Sequence, residues 1–179
     1  MICSACNFET ARLLVKEWHL LADHDWHRQD LADLVARVLT ERVTRSLPPS
    51  WQGQYTPARA REWIAERDDA GATLLVIEKS TGEGIGLMIL SETATRSGHD
   101  VRLGYLLAEP WWGQGLASEL VGGIVGWSRA QPGISSLVGG VDRENPASAR
   151  VLEKNGFRPR HGECASVERE WMFELKVHP

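Results

Sequence analysis

Residues 101–118, with the sequence VRLGYLLAEPWWGQGLAS, decide how this chain is interpreted. The stretch begins with an apolar run that predicts a strand, passes through Pro110 and two tryptophans, and reaches a turn containing Gly113 and Gly115. An apolar segment that predicts a helix follows directly. Glycines allow the backbone to approach a ligand closely, and a helix start presents unpaired N–H groups and the positive end of its dipole. The stretch therefore predicts a cradle for phosphate groups.

Three phosphate-binding patterns compete for this stretch. A dinucleotide fingerprint requires a third glycine, but Ser118 stands at that position. It also requires an acidic ribose ligand about twenty residues further on, and the region near Ser135 and Ser136 lacks one. A Walker loop requires Gly-Lys-Ser/Thr, which occurs nowhere in the sequence. The third is the pyrophosphate loop of acetyl-CoA-dependent N-acetyltransferases, an Arg, Gln or aromatic residue followed by x-x-Gly-x-Gly/Ala. Residues 112–117 (WGQGLA) resemble it. A strand–turn–helix whose glycines serve packing alone stays the alternative.

The composition is that of an ordinary globular protein. At 179 residues, with 42% hydrophobic and 25% charged residues, the chain suits one domain over residues 1–179. A net charge of −4 argues against a general nucleic-acid binder. No apolar run reaches the ~18–20 residues of a membrane span, and residues 1–7 lack the pattern of a secretory signal. We therefore expect a cytoplasmic protein with no nucleic-acid or membrane partner.

Cysteine and histidine spacings give no strong metal or redox signal. Cys3-x-x-Cys6 has no second pair, because only Cys164 remains. His24 and His27 lie in a segment that predicts a turn or a helix start, and no third ligand shares their spacing. We predict a solvated loop there and no metal site.

Periodicity and turn residues predict the other elements in the order β-α-α-β-β-β-α-β-α-β-β. Strands are predicted over residues 10–18, 72–79, 84–91, from 101, 136–141, 157–160 and 167–177. Helices are predicted from Asp30, from Thr56-Pro57 to about residue 69, over 116–130, and from Asn145-Pro146 to Gly156. Loops are predicted over residues 44–55 and 93–99. The resulting plan is a mixed α/β domain without repeats.

Three segments in the right order resemble the GNAT superfamily of N-acetyltransferases, in the branch of the ribosomal-protein N-terminal acetyltransferases. They are residues 10–14 (TARLL), 104–119 (GYLLAEPWWGQGLASE) and 145–157 (NPASARVLEKNGF). The resemblance implies an α/β fold with a mixed, mostly antiparallel central sheet, flanking helices and a splayed central strand. It implies acetyl transfer from acetyl-CoA to a primary amine, of a peptide N-terminus or a small molecule, by direct attack in a ternary complex. A non-catalytic acyl-CoA-binding module of the same fold is the alternative. The resemblance allows a monomer or a homodimer.

The resemblance also implies roles for individual residues. Ser148 would protonate the departing thiolate, although a first-turn serine also commonly binds the backbone. A main-chain N–H near Leu106 would stabilise the oxyanion. Independently of the resemblance, Trp51 and Tyr55 on the predicted loop over residues 44–55 would line an acceptor pocket or pack on the core. The implied cofactor-binding residues are Leu106, Leu107, Ala108, Trp112, Gly113, Gln114, Gly115, Leu116, Ala117, Ser118 and Asn145.

The general base is left open. Many family members carry a glutamate on the central strand. The corresponding position in this chain is near Arg102, and an arginine cannot act as a base at neutral pH. The candidates are Asp100, Glu92, Glu109 and a chain of waters. An α-amine, with a pKa near ~8, is ~10% neutral at pH 7, whereas a lysine is well under ~0.1% neutral. The lack of an obvious base therefore favours an acceptor with a low amine pKa.

Overall fold

The computed structural model describes residues 2–19, 28–160 and 170–178, with the backbone alone at 28–30. Within these ranges it contains eight strands and five α-helices. The strands are β1 (Phe8–Glu9), β2 (Leu13–Glu17), β3 (Ala72–Glu78), β4 (Gly84–Thr95), β5 (Gly98–Leu107), β6 (Ile134–Asp142), β7 (Arg158–Pro159) and β8 (Glu170–Lys176). The helices are α1 (Arg28–Val38), α2 (Glu41–Thr44), α3 (Pro57–Ala70), α4 (Leu116–Arg129) and α5 (Pro146–Lys154).

The eight described strands form one sheet in the order β1-β2-β3-β4-β5-β6-β8-β7. Strands β5 and β6 are parallel, and every other neighbouring pair among them is antiparallel. A parallel pair needs a crossover connection, which α4 provides between β5 and β6. The predicted mixed, mostly antiparallel sheet with flanking helices is thus confirmed.

Strands β5 and β6 separate toward their C-terminal ends. Their last paired residues are Leu103 and Gly139, although β5 continues to Leu107 and β6 to Asp142. The outer neighbours β4 and β8 stay paired with β5 and β6 along these segments. The sheet is therefore open at its centre, and the predicted splay is confirmed.

Helices cover the two faces of the sheet and bury separate hydrophobic clusters. Helices α1 and α3 pack on one face, where the cluster includes Leu34, Val35, Trp63, Leu75 and Leu87. Helices α4 and α5 pack on the other face, where it includes Leu120, Ile124, Leu152, Val121 and Phe157. Burial of each such side chain stabilises the fold by ~1.5–3 kcal/mol.

Two predicted helix starts are confirmed by their capping contacts. Thr56 Oγ1 accepts a hydrogen bond from the Arg59 N–H at 3.3 Å at the start of α3. Asn145 Oδ1 accepts one from the Ser148 N–H at 3.1 Å at the start of α5. In both helices proline follows the cap, where its missing N–H costs nothing.

The predicted loop over residues 93–99 is wrong. Strand β4 continues to Thr95 and β5 begins at Gly98, so these two residues pair across a tight hairpin. The end of β4 is largely exposed and polar, which is typical of a loop, although its backbone is paired with β5. The predicted loop over 44–55 begins at the last residue of α2 and includes a 3₁₀ turn at Pro49–Trp51. Strand β1 was not predicted.

Cys3 and Cys6 lie in the cluster beneath α4. Burial raises the pKa of the Cys3 thiol to about 12 and raises the pKa of the Cys6 thiol as well. His24, His27 and Cys164 lie outside the described residues. Among the residues that are described, no group of three or more His, Cys, Asp or Glu is placed to hold a metal ion. No described helix is both long and apolar enough to cross a bilayer.

Candidate active site

A cleft of about 130 Å³ opens where β5 and β6 separate. From β5 and α5 it is lined by Leu103, Tyr105, Ser148 and Leu152. From the side of α1–α3 it is lined by Val43, Leu47, Trp51, Ile89 and Leu106. The cleft therefore joins the two faces of the sheet through the splay.

Tyr105 and Ser148 meet in this cleft from different elements. The Tyr105 hydroxyl lies 2.7 Å from Ser148 Oγ, and either group can donate the hydrogen bond. Burial raises the pKa of Tyr105, and the hydrogen bond to Ser148 offsets part of that effect. The phenol is therefore protonated at neutral pH, and the pair can hold a proton and release it.

Asn145 positions Ser148 through the backbone. Because Asn145 Oδ1 accepts the Ser148 N–H, the first turn of α5 is fixed and Ser148 Oγ stays available to Tyr105. Asn145 also lines the cleft. The capping role predicted for Asn145 is confirmed, while a contact from its side chain to a cofactor stays a prediction.

The glycine turn before α4 has the conformation that its sequence requires. Gly113 has φ 74° and Gly115 has φ 78°, both in the left-handed region that favours glycine. Gly115 is the N-cap of α4, and no side chain caps the helix. Apart from Gly113 itself and its two chain neighbours, no described atom lies within 4 Å of a Cβ built at Gly113. This open helix start fits an anionic group such as a pyrophosphate.

Arg12 braces the glycine turn from the start of β2. Its Nη1 donates to the Gln114 carbonyl at 3.0 Å, and its Nε lies 2.7 Å from Glu119 Oε2 in the first turn of α4. Glu119 also accepts from Thr10 Oγ1 at 2.6 Å. Burial raises the pKa of Glu119, but the hydrogen bonds from Thr10 and Arg12 outweigh it and hold that pKa below its usual value. The turn is thus fixed to the sheet by a charged contact.

Trp112 fixes the other side of the turn. Its indole Nε1 donates to the Leu107 carbonyl at 2.7 Å, while 41% of the residue remains exposed. The Arg42 guanidinium lies 5.3 Å from the centre of the Trp112 ring. Glu109 holds Arg42 at 3.2 Å and accepts from Thr40 Oγ1 at 2.6 Å. Helix α2 is therefore linked to the turn.

The strand register sets which β5 amides face the splay. Leu106 pairs with Leu87, and the Ala108 N–H donates to the Ile85 carbonyl at 2.9 Å. In an antiparallel ladder, alternate residues direct their N–H and C=O groups to the same neighbour, so Leu106 and Ala108 direct theirs toward β4. Leu107 directs its groups the other way, as its bond from an indole N–H shows. The N–H groups on either side of Leu106, those of Tyr105 and Leu107, are therefore turned toward the splay.

The three carboxylates considered as bases lie in different surroundings. Glu92 accepts from the Ile2 N–H at 3.0 Å and thereby fixes the N-terminal segment. Asp100 accepts from Ser136 Oγ at 2.6 Å, about 16 Å along β5 from the hydroxyl pair. Glu109 follows the end of β5, within the contacts to α2. None of the three lines the cleft.

Asp142 is a cleft-lining carboxylate that sequence reasoning missed. It is the last residue of β6, and its Oδ1 accepts from the Glu144 N–H at 2.8 Å. Its place between a predicted strand and the Asn145 cap was the available signal. The sequence could not show that Asp142 lines the same cleft as Tyr105 and Ser148, because this depends on where β5 and β6 separate and on how α5 packs.

The aromatic residues considered for the acceptor pocket separate into two groups. Trp51 lines the cleft, and its ring packs edge-on against Trp63 at 5.3 Å between centroids. Tyr55 is buried against Trp63 and beneath Arg59, away from the cleft lining. Trp111 packs against both hydrophobic clusters. Of these three residues, Trp51 is the one that lines the cleft.

An open mixed sheet, splayed beside a glycine turn at a helix start, defines the class of acyl-CoA-dependent N-acyltransferases. The sequence matches the family model of the Acetyltransferase (GNAT) domain over residues 24–158, and the chain belongs to this family. Members of the family transfer an acetyl group from acetyl-CoA. A comparison with curated proteins gave no match.

Solved acetyltransferases share the fold at low sequence identity. A GNAT-family acetyltransferase from Bacillus anthracis is 17% identical, with a TM-score of 0.76 over 96% of this chain and 99% of that chain. Spermidine N-acetyltransferase from Vibrio cholerae, solved with CoA and spermine, is 16% identical, with a TM-score of 0.68 over 93% and 96%. Ribosomal-protein-S5-alanine acetyltransferase from Vibrio fischeri is 15% identical, with a TM-score of 0.63 over 96% and 97%. At 15–17% identity these structures show that the fold is shared, and they do not identify the acceptor of this protein.

Proposed function

We propose that the protein is an N-acetyltransferase that moves the acetyl group of acetyl-CoA to a primary amine, of a peptide N-terminus or a small molecule. The amine attacks directly in a ternary complex. The observation that carries this proposal is the hydroxyl pair of Tyr105 and Ser148, 2.7 Å apart in the cleft at the splay. A structural module that only bound acyl-CoA would have no need of a proton-donating pair at this point.

Acetyl-CoA supplies the thioester, and the residues around the splay fit its recognition. The left-handed Gly113 and Gly115 and the uncapped start of α4 suit the pyrophosphate. The main-chain groups of β5 that are turned toward the splay suit strand-like pairing with pantetheine, because those of Leu106 and Ala108 are directed to β4. The proposed binding residues are Leu107, Trp112, Gly113, Gln114, Gly115, Leu116, Ala117, Ser118 and Asn145.

Each step of acetyl transfer then has a candidate group. The Leu107 N–H stabilises the oxyanion that forms when the amine attacks the acetyl carbon. Ser148 donates a proton to the departing thiolate, and Tyr105 holds Ser148 in place and replenishes that proton. A positioned proton donor contributes ~10²–10⁴ in rate, so the hydroxyl pair accounts for a measurable share of catalysis.

Release of free CoA thiol from acetyl-CoA tests the proposal. The acceptor panel contains peptides beginning with Ser or Ala, amino-acid amides, polyamines and aminoglycosides. We expect thiol release above hydrolysis with one acceptor class. Absence of release with every acceptor, from protein that binds acetyl-CoA, would instead identify a non-catalytic acyl-CoA-binding module.

Variants of the hydroxyl pair test the mechanism. Ser148→Ala is expected to lower kcat by ~10²-fold or more with little change in acetyl-CoA affinity. Tyr105→Phe should lower kcat less, because Ser148 remains. Ser135→Ala is the matched control, since Ser135 lies at the other end of β6 and donates to the Ser97 carbonyl. Full activity of Ser148→Ala would remove Ser148 from the mechanism.

A further inference from the structure

We propose that Asp142 binds the ammonium group of the acceptor and takes its proton, and that the acceptor is a primary amine with one positive charge beside an apolar group. This inference rests on the proposed acetyltransferase function, because it concerns the acceptor of the same cleft. It is carried by the position of Asp142, the surface around it and the pairing of the neighbouring charges.

The side-chain alternation of β6 places Asp142 on the face opposite α5. A Cβ at Gly139 would lie 2.9 Å from Leu152 of α5, whereas one at Gly140 would lie 3.0 Å from Arg102 Nη2 and from Glu170 Oε2. Successive side chains of a strand point to opposite faces, so Asp142 shares the face of Gly140. This is the face on which α1–α3 pack.

The hydroxyl pair approaches the splay from the other face. Tyr105 packs against the hydrophobic cluster of α4 and α5, and Ser148 belongs to α5 itself. Asp142 and the hydroxyl pair therefore lie on opposite sides of the opening between β5 and β6, and all three line one cleft. An amine held at Asp142 would thus reach the splay from the side opposite to the proton donor.

On the side of α1–α3, the described side chains that line the cleft with Asp142 are mostly apolar, and the Arg102–Glu170 ion pair lies beside them on the same face. On this side the lining comes from Val43, Leu47, Trp51, Ile89 and Leu106, with the hydroxyl of Ser46. Asp142 is half-buried, so its carboxylate can pair with a bound ammonium group while the apolar side chains contact the rest of the ligand. One carboxylate in an apolar wall suits an acceptor with one ammonium and an apolar neighbour. A polyamine would need further carboxylates along the same wall.

The neighbouring carboxylates on this face are already paired. Glu170, opposite Asp142 on β8, lies 3.3 Å from Arg102 Nη2. Glu174 lies 2.7 Å from Lys176 Nζ. Within the described residues, no Lys, Arg or His forms an ion pair with Asp142. Among the described carboxylates Asp142, Glu170 and Glu174, Asp142 is therefore the one whose charge is available to a ligand.

The proposed acetyl transfer begins with a proton transfer to Asp142. The ammonium gives one proton to the Asp142 carboxylate, and the neutral nitrogen forms a bond to the acetyl carbon. The carbon–sulfur bond breaks, and the thiolate takes a proton from Ser148. The nitrogen loses its second proton to solvent, Asp142 releases the proton that it took, and Ser148 regains one from solvent through Tyr105. The products are then the N-acetyl amide, CoA thiol and one proton in solution.

Steady-state kinetics with 2-phenylethylamine, leucinamide and spermidine test the acceptor class. We expect kcat/KM for the two monoamines to exceed that for spermidine. Asp142→Asn keeps the Oδ1 that accepts the Glu144 N–H but removes the charge. It should lower kcat/KM for 2-phenylethylamine by about 10- to 100-fold, the loss of a charge-assisted contact, with acetyl-CoA affinity unchanged. Glu170→Gln is the matched control on the same face, with an expected change of under about threefold.

A binding experiment separates this inference from the proposed function. Calorimetric titration of 2-phenylethylamine into the CoA complex needs no turnover, and we expect Asp142→Asn to lose this binding. Unchanged amine binding and unchanged kcat/KM in Asp142→Asn, or a preference for spermidine, would overturn the inference and leave the acetyltransferase intact. Amine binding that depends on Asp142, without thiol release from any acceptor of the panel, would overturn the proposed function and retain the ammonium site. Absence of both binding and turnover with the monoamines would overturn the inference.

Discussion

Arg12 Nε lies 2.7 Å from Glu119 Oε2, so the start of strand β2 is joined directly to the first turn of α4. The same guanidinium donates to the carbonyl of Gln114, inside the glycine turn. The contact crosses more than a hundred residues of sequence and holds the proposed pyrophosphate site in shape. Affinity for the cosubstrate should therefore depend on a pair that lies outside the glycine motif.

Glu119→Gln tests this dependence. The substitution keeps an amide oxygen for the Thr10 hydroxyl but removes the charge that orients Arg12. We expect the Kd for acetyl-CoA, measured by calorimetry, to rise about 3- to 10-fold, as for a weakened hydrogen-bonded contact. Glu9→Gln is the control, because Glu9 pairs with Lys79 at 2.9 Å away from the turn. Equal affinities for wild type and Glu119→Gln would contradict the bracing role.

Gly115→Ala should destabilise the protein and weaken acetyl-CoA binding. At φ 78° an alanine is strained by ~1–2 kcal/mol, which should appear in the free energy of unfolding from urea titration. Gly126→Ala within α4 is the matched variant, since no described atom lies within 4 Å of its added Cβ. It should stabilise the protein by ~0.5–1 kcal/mol. A Gly115→Ala variant as stable as wild type would show that the left-handed turn does not require glycine.

Trp112→Phe should raise the Kd for acetyl-CoA by about 2- to 12-fold. Phenylalanine keeps a ring for Arg42 but lacks the N–H that bonds the Leu107 carbonyl, a contact worth ~0.5–1.5 kcal/mol. Trp171→Phe on β8 is the control, because that tryptophan is similarly exposed, at 44%. Titration of both variants with acetyl-CoA measures the difference. If the two changes weaken binding equally, the indole bond has no specific role.

Glu78 should make stability depend on pH in the acid range. Hydrogen bonds from the Ser80 hydroxyl and amide, and from the Thr81 hydroxyl and amide, lower the pKa of Glu78 from 4.5 to about 2. The folded state therefore gains from ionised Glu78 above pH 4.5, and this gain is lost as the pH falls toward about 2. Glu78→Gln should accordingly be less stable than wild type at pH 7, and the gap should narrow below pH 4.5.

Thermal midpoints of both proteins between pH 7 and pH 3 measure this gap. Glu83→Gln, in the same hairpin connection but largely exposed, should show little pH-dependent difference from wild type. A constant gap for Glu78→Gln across the series would show that its stability effect does not come from the carboxylate charge.

Much of the fold followed from local sequence signals. Apolar periodicity predicted helices α1 and α4, and the Thr56-Pro57 and Asn145-Pro146 pairs predicted two helix starts. The errors occurred where local signals and tertiary pairing disagree, as at residues 93–99, where polar side chains on an exposed hairpin resemble a loop. Two-residue strands such as β1 leave no periodic pattern, because their only support is the neighbouring strand.

The cleft itself required the three-dimensional structure. Ser148 was predicted as a site residue, but its partner Tyr105 lies 43 residues away and meets it through α5. The three carboxylates considered as bases were chosen for nearness along the chain, whereas Asp142 reaches the cleft because β6 diverges from β5. Sequence proximity is a poor guide where two strands separate, since the groups on either side of the opening come from distant segments.

The parallel pairing of β5 and β6 has a mechanical consequence. Five residue pairs, from His99 with Ile134 to Leu103 with Gly139, are the ladder that joins the strand set β1–β5 to the set β6–β8. A molecule bound between the separated ends of β5 and β6 would contact both sets of strands and extend this short ladder. Substrate binding should therefore stabilise the pairing of the two strand sets and slow amide hydrogen exchange in β6 more than in the hairpin of β3 and β4.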